Sequence, residues 1–150
     1  DLGALIVGLA RCILLILEDG SIIDTVIFAV SSILEGLPAT IAAVGMFLTQ
    51  FIINFFIPSG SGQAATTIPL MAPIGDIVGI PRQSVVLAFQ LGDGLSNYLF
   101  PTSAILMAGL SIAQIPYEKW LRFVWPIMLT WVIASSIFMA LSILIGYGPF

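Results

Sequence analysis

Ile57-Pro58-Ser59-Gly60-Ser61-Gly62-Gln63 and Gln90-Leu91-Gly92-Asp93-Gly94-Leu95-Ser96-Asn97 are two polar interruptions in a chain that is otherwise almost uniformly apolar. In the first, Pro58 disfavours helix at Ile57, and two glycines with two serines loosen the backbone that follows. A tight polar tip is predicted, with apolar arms Ala39 to Ile57 before it and Ala64 to Val78 after it. The return arm carries Pro69 and Pro73, and its fifteen residues make about 22 Å of helix, short of a bilayer's hydrocarbon core. That length favours a re-entrant hairpin over 39–78 whose tip stops inside a membrane. The first arm is long enough to span, so length alone also leaves open an ordinary loop in water between two crossings.

The second interruption falls inside a stretch whose flanks, Val85 to Phe89 and Tyr98 to Leu110, are mostly apolar, and Pro101-Thr102-Ser103 follows it. A discontinuous helix over 84–110 is predicted, with Gly92, Gly94 and Pro101 making the helix break. A carboxylate at membrane depth costs at least about 2.5–3.5 kcal/mol on insertion scales, which makes Asp93 a functional candidate. The structural alternative is an aspartate paired with a base elsewhere in a longer protein.

Composition sets the solvent in which these breaks must be read. The chain is 59% hydrophobic and 8% charged, with mean hydropathy +1.16, whereas soluble domains carry about a quarter charged residues. An all-α polytopic membrane protein is expected. Eight acidic and four basic residues are too sparse and scattered for a nucleic-acid footprint. Cys12 is the single cysteine, so no internal disulfide can form, and a buried apolar thiol is expected. The chain opens at Asp1 in apolar sequence without the features of a signal peptide, and a piece of a longer protein is expected.

Outside the two breaks, 2–17 reads as a membrane helix. In 21–37 the pattern turns amphipathic, with Ile22, Val26, Val30, Ile33 and Leu37 on one face and Asp24, Ser31 and Glu35 on another. Ser21 and Asp24 can cap its start, and the segment reads as a helix lying in the membrane interface or packed against soluble parts of a longer chain. The 23 residues of 123–145 form the last transmembrane helix, with Tyr117, Trp120 and Trp125 at one end and Tyr147 at the other as aromatic belts. Gln114 to Arg122 reads as a second interfacial turn. Lys119 and Arg122 there, against Arg82 by the other polar loop, place that side in the cytoplasm.

Together the breaks make a binding site. Free N–H groups near Gln63 to Thr66 and near Asn97 to Phe100 are partly positive helix starts that can cradle a carboxylate. The candidate substrate-binding residues are Ser59, Gly60, Ser61, Gly62, Gln63, Thr66 and Thr102. Carbonyl ends near Ile57 and Leu91, with Asp93, Ser96 and Asn97, supply hard oxygen ligands for a coupling ion, Na+ or H+. No other cofactor or metal is expected, and no enzyme activity. Ser61 has no histidine in the chain to serve as its base, and Asp76 is poorly placed to make a carboxylate pair with Asp93. A channel lined by the polar break stays open as a rival.

The strings Ile57 to Pro69 and Gln90 to Ser103 resemble the anaerobic dicarboxylate carrier (DcuC-type) family, especially its YfcC-like and ArcD-like basic amino acid antiporter branch. The resemblance extends from Gly8-Leu9-Ala10-Arg11 and Asp19 to Thr25 over nearly the whole chain. It implies two inverted repeats of the ion transporter superfamily, each with a re-entrant hairpin and a broken helix. Ser59 to Gln63 would be a hairpin tip, Gly92 to Asn97 the unwound segment and Phe123 to Ile145 the last helix. The more distant aminobenzoyl-glutamate transporters are similar at the broken helix, which implies Asp93 and Asn97 as cation ligands and Pro101 as part of the break. This sequence departs from them at Gln90 and at Gln63-Ala64, so their substrate does not carry over. The expectation is therefore the C-terminal half of a secondary transporter in the bacterial cytoplasmic (inner) membrane. Its partners would be a small carboxylate or amino acid, the lipid bilayer and the N-terminal half of the same transporter, with a homodimer compatible and no nucleic acid.

Overall fold

A computed structural model describes residues 12, 15, 16 and 19–148. The expected membrane helix over 2–17 falls almost wholly outside the described residues. Six helices follow: α1 (Ile22–Leu34), α2 (Ala39–Phe56), α3 (Gly60–Val78), α4 (Arg82–Ser96), α5 (Ala104–Ile112) and α6 (Tyr117–Leu144). No strand occurs among the described residues. Helices α2 and α6 are long and apolar enough to cross a membrane.

Local chemistry explains most of the boundaries. Pro38 precedes α2 with φ −55° and needs no N–H donor there. Pro58 pushes Ile57 out of the helical region, to φ −119° and ψ 74°, and α2 stops. Ser59 then caps α3, its Oγ accepting from Gly62 N at 3.3 Å. Gly79 ends α3 in the left-handed region at φ 81°, and its N–H and that of Ile80 both reach Gly75 O. Pro69 and Pro73 sit inside α3 without ending it.

Several expectations need correcting. The return arm starts at Gly60, directly behind the Ser59 cap, and α3 is 19 residues long. At about 28 Å, its length does not by itself separate a re-entrant arm from a crossing. Gly92 and Gly94 lie inside α4, whose hydrogen bonding continues to Ser96. The non-helical stretch runs over 97–103 instead and includes Pro101. Gln114, at φ 55°, closes the turn after α5, and Tyr117 to Arg122 form the first turns of a 28-residue α6 rather than a separate interfacial turn. Cys12 is exposed rather than buried.

Among the described side chains of α1 Leu34 is buried, while Ile22 and Ile33 are 43% and 66% exposed. Gly45 explains the choice, since a Cβ there would lie 2.7 Å from Leu34 Cδ2 and its absence leaves the notch that Leu34 fills. The side chains of Asp24, Val26 and Ser31 lie outside the described residues.

The core is built on α4 laid along α2, the most extensive helix packing in the chain, with α6 against both and α3 against α4. Ala42, Ala43, Met46, Phe47 and Ile53 of α2 meet Met71 and Ile74 of α3, Val85 and Ala88 of α4 and Met139 of α6. A second cluster holds Leu99, Val124 and Met128 beside the end of α4. Helix α5 stands apart, with Ile105 and Ile112 88% and 85% exposed.

Candidate functional site

The α2–α3 tip and the end of α4 meet. A methyl group built on Gly60 would lie 3.1 Å from Asp93 Oδ2, so the first residue of α3 abuts the carboxylate directly. Gly60 therefore serves close approach, and the partly positive start of α3 faces a negative charge. A mostly apolar cavity of about 750 Å³ opens beside this contact, lined at the tip by Pro58, Ser59 and Gly60 and at α4 by Gly94, Asn97 and Tyr98. Residues of α5, with Ile115 and Trp120, close its other wall.

Asp93 is held from two sides. Asn54 Nδ2 donates to its Oδ1 at 2.7 Å, and Asn97 Nδ2 donates to the same oxygen at 3.2 Å and to Asp93 O at 2.8 Å. Asn97 thus shares Asp93's environment as expected, with its amide N–H turned toward the aspartate. Ser96 differs: it is fully buried, and its hydroxyl donates to Gly92 O at 2.6 Å and contacts Asp93 O at 3.1 Å. That proton is committed to the helix backbone.

Behind the tip lies a buried amide chain. Asn54 Nδ2 also donates to Gln63 Oε1 at 2.8 Å, and Gln63 Nε2 donates to Gln50 O and Gln50 Oε1, both at 2.8 Å. Gln50 and Thr67 share two further contacts of 3.0 and 3.1 Å. Gln50, Asn54, Gln63 and Thr67 are all fully buried. Gln63, expected to face substrate, instead fastens α3 to α2. Asn54 Oδ1 is buried with no partner among the described residues, an omission that ordinarily costs about 1–3 kcal/mol.

The remaining predicted residues are dispersed. Ser59 and Ser61 are exposed at the tip and Gly62 is half-buried behind them. Thr66 Oγ1 donates back to Gly62 O at 2.9 Å. Thr102 is buried in the 97–103 stretch with its Oγ1 unpartnered among the described residues, and Ser103 Oγ caps α5 by accepting from Leu106 N at 3.4 Å.

Phe100 holds the broken stretch to α2, its ring 5.4 Å from Phe51 and 5.3 Å from Phe55 in edge-on contacts. Tyr117 and Trp120, expected in an interfacial belt, donate to Leu99 O at 2.7 Å and Tyr98 O at 2.9 Å. They satisfy carbonyls of the turn that follows α4, and they set the break level with the start of α6. Asp76 lies in the last turn of α3, at the end away from the tip, in a two-pronged ion pair with Arg82 at 2.8 and 3.1 Å. The hydrogen bond from Arg82 holds the Asp76 carboxyl below the usual carboxylate range.

Gln50 and Asn54 carry no glycine, proline or charge to flag them, and the apolar run around them conceals them. Their spacing is the signal that could have found them. Two amide side chains four residues apart in an apolar helix share one face and need partners there.

Comparison with known proteins gives the family of the chain. The C4-dicarboxylate anaerobic carrier family matches residues 1–144. This chain belongs to that carrier family. It is 43% identical over 149 residues to an Escherichia coli K12 protein named "Putative basic amino acid antiporter YfcC", covering 96% of this chain and 29% of the relative. It is 36% identical over 140 residues to an uncharacterized Haemophilus influenzae protein, covering 93% of this chain and 27% of that one. The chain thus spans under a third of the length of these relatives. No solved structure matches it significantly. Membership of a carrier family, with two helices long and apolar enough to cross a bilayer, makes this a membrane protein.

Proposed function

We propose that the chain is a C-terminal portion of an ion-coupled secondary transporter, a symporter or antiporter, in the bacterial inner membrane. Its substrates are small carboxylate-bearing solutes, amino acids or dicarboxylates. The single observation that carries this reading is the contact of Asp93 with Gly60. It brings a carboxylate, a capped helix start and a large cavity together where two helices are interrupted.

In this reading 39–78 is a re-entrant hairpin, 84–110 the broken helix and 123–145 the last crossing, with 2–17 a membrane helix and 21–37 in the interface. Helix α6, at 28 residues, is about 42 Å long and exceeds a hydrocarbon core of about 30 Å. Its first turns therefore lie near one membrane boundary, and the break bonded to them lies near it too. Asp93, three residues before the end of α4 at Ser96, sits about 4–5 Å further in along that helix.

Substrate would occupy the cavity, its carboxylate toward the exposed Ser59 and Ser61 and the N–H groups behind them. A sodium ion would be held by the Asp93 carboxylate, joined by the Asn97 amide oxygen once that amide turns over, since its N–H faces Asp93 in this structure. Hard cations prefer such oxygen ligands. A transported proton would use Asp93 alone. The basic amino acid named for the E. coli relative is one substrate class to test, and the dicarboxylate of the family description is the other.

The test is uptake of radiolabelled amino acids and dicarboxylates by proteoliposomes of the full-length protein, with sodium and pH gradients varied separately. Saturable flux stimulated by counter-substrate is expected. Conductance far above carrier turnover would mark a channel and overturn the proposal.

A further inference from the structure

Asn54 has two N–H groups and uses both, one on Gln63 Oε1 at 2.8 Å and one on Asp93 Oδ1 at 2.7 Å. A third acceptor, Ile57 O, stands at 3.5 Å, the outer limit of a hydrogen bond. The amide oxygen is left buried and unpartnered among the described residues. Turning the amide over would set that oxygen against Gln63 Oε1 and Asp93 Oδ1, two acceptors that cannot donate to it. The observed orientation is therefore the one that a carboxylate at position 93 selects.

We propose that Asn54 is a positioning residue that fastens the second arm of the hairpin to Asp93. Through it, α3 and the Asp93 carboxylate move as one unit. The geometry supports this in both directions. Gln63 cannot turn its Oε1 elsewhere without releasing Gln50 O and Gln50 Oε1, to which its Nε2 is bound at 2.8 Å. Asp93 is further fixed by Asn97 on its own helix. Asn54 is thus the one described side chain that hydrogen-bonds to both Gln63 and Asp93, and it comes from a third element, α2. This inference rests on reading the tip and Asp93 as the two parts of one site, but its test requires neither substrate nor ion.

The test uses the full-length carrier in proteoliposomes, with other cysteines replaced and Ser61→Cys introduced at the exposed tip. N-ethylmaleimide labelling rates are compared for the parent, Asn54→Ala, Asp93→Ala and the double variant. Each single substitution is expected to speed labelling by roughly tenfold, the population change that follows loss of a hydrogen bond to a charged group. The double variant should be no faster than either single one, because both remove the same link. An unchanged rate in Asn54→Ala, or effects that multiply in the double variant, would overturn the proposal. Should Asn54→Ala fail to give monodisperse protein, Asn54→Ser, which keeps a small polar group but cannot span both acceptors, is read in its place. Failure of coupled uptake in the parent would count against the transport reading and leave this link standing.

Discussion

Gly92 of α4 rests on Gln50 of α2 so closely that a Cβ on Gly92 would lie 2.6 Å from Gln50 Cβ and 2.8 Å from Phe51 N. Glycine is needed here for helix contact rather than for a break, and the contact sets Asp93, one residue on, beside Asn54. A methyl group at 92 would meet the neighbour's backbone and could be accommodated only by separating the two helices. Gly92→Ala should destabilise the full-length protein by about 1–3 kcal/mol through overpacking. Gly94→Ala is the control, because nothing lies within 4 Å of its Cβ position. It should be neutral or stabilise α4 by up to about 1 kcal/mol. Melting temperatures in detergent decide the matter, and equal effects at the two glycines would contradict the close crossing.

The re-entrant reading makes its own demand on the tip. Ser61 is exposed beside a half-buried Gly60, and in a hairpin that stops inside the membrane its surroundings are narrow. Ser61→Cys in the full-length protein should react with a small permeant thiol reagent, lose reactivity when substrate is present and vary with the transporter's state. Equally fast labelling by bulky impermeant reagents in every state would show a plain extramembrane loop.

Much of the architecture was legible because it rests on short-range chemistry. Proline and the glycine-serine cluster mark the α2–α3 tip at Pro58 to Gly62, and the uninterrupted apolar run marks α6. The errors have a common cause. Glycine at 92 and 94 predicts a break, whereas Gly92 serves the packing of α4 on α2, a tertiary demand that no local pattern records. The glycine-serine run predicts a return arm that starts at Ala64, yet the Ser59 cap starts the helix at Gly60. At the site, Asp93 stood out by its charge, while Asn54 and Gln50 were hidden because an amide in an apolar run becomes informative only when its partner across the fold is known.

Thr102 offers a test of whether the broken stretch meets ligand. Its hydroxyl is buried and unpartnered among the described residues, and valine keeps its shape. If the hydroxyl has no partner in the whole protein, Thr102→Val should leave stability unchanged or raise it by about 1 kcal/mol, with transport unaffected. If it donates to substrate, KM should rise several-fold while the stability of the substrate-free protein stays within about 0.5 kcal/mol of the parent's. A binding assay beside a thermal melt separates the two, and a large loss of stability with unchanged KM would contradict both.

Asp93 carries the coupling hypothesis, and its surroundings allow a clean substitution. Asn54 and Asn97 both donate to Oδ1, and an asparagine at 93 can present an amide oxygen to the same donors, so Asp93→Asn should fold with its contacts preserved while the charge is gone. If Asp93 ligates a cation, ion affinity should fall, and substrate affinity should fall with it by the same linkage. Asn97→Ala should do the same more mildly, since a neutral ligand is lost and water can replace it in part. If Asp93 instead carries a transported proton, the asparagine variant should lose uptake driven by a pH gradient yet retain exchange of substrate for substrate, which does not require the carboxylate to release its proton. Uptake under separate sodium and pH gradients, with exchange measured alongside, distinguishes these cases. Parent-like sodium or proton dependence in both variants would remove Asp93 and Asn97 from the coupling site and leave the carboxylate as a structural anchor for the Asn54 amide and the hairpin tip.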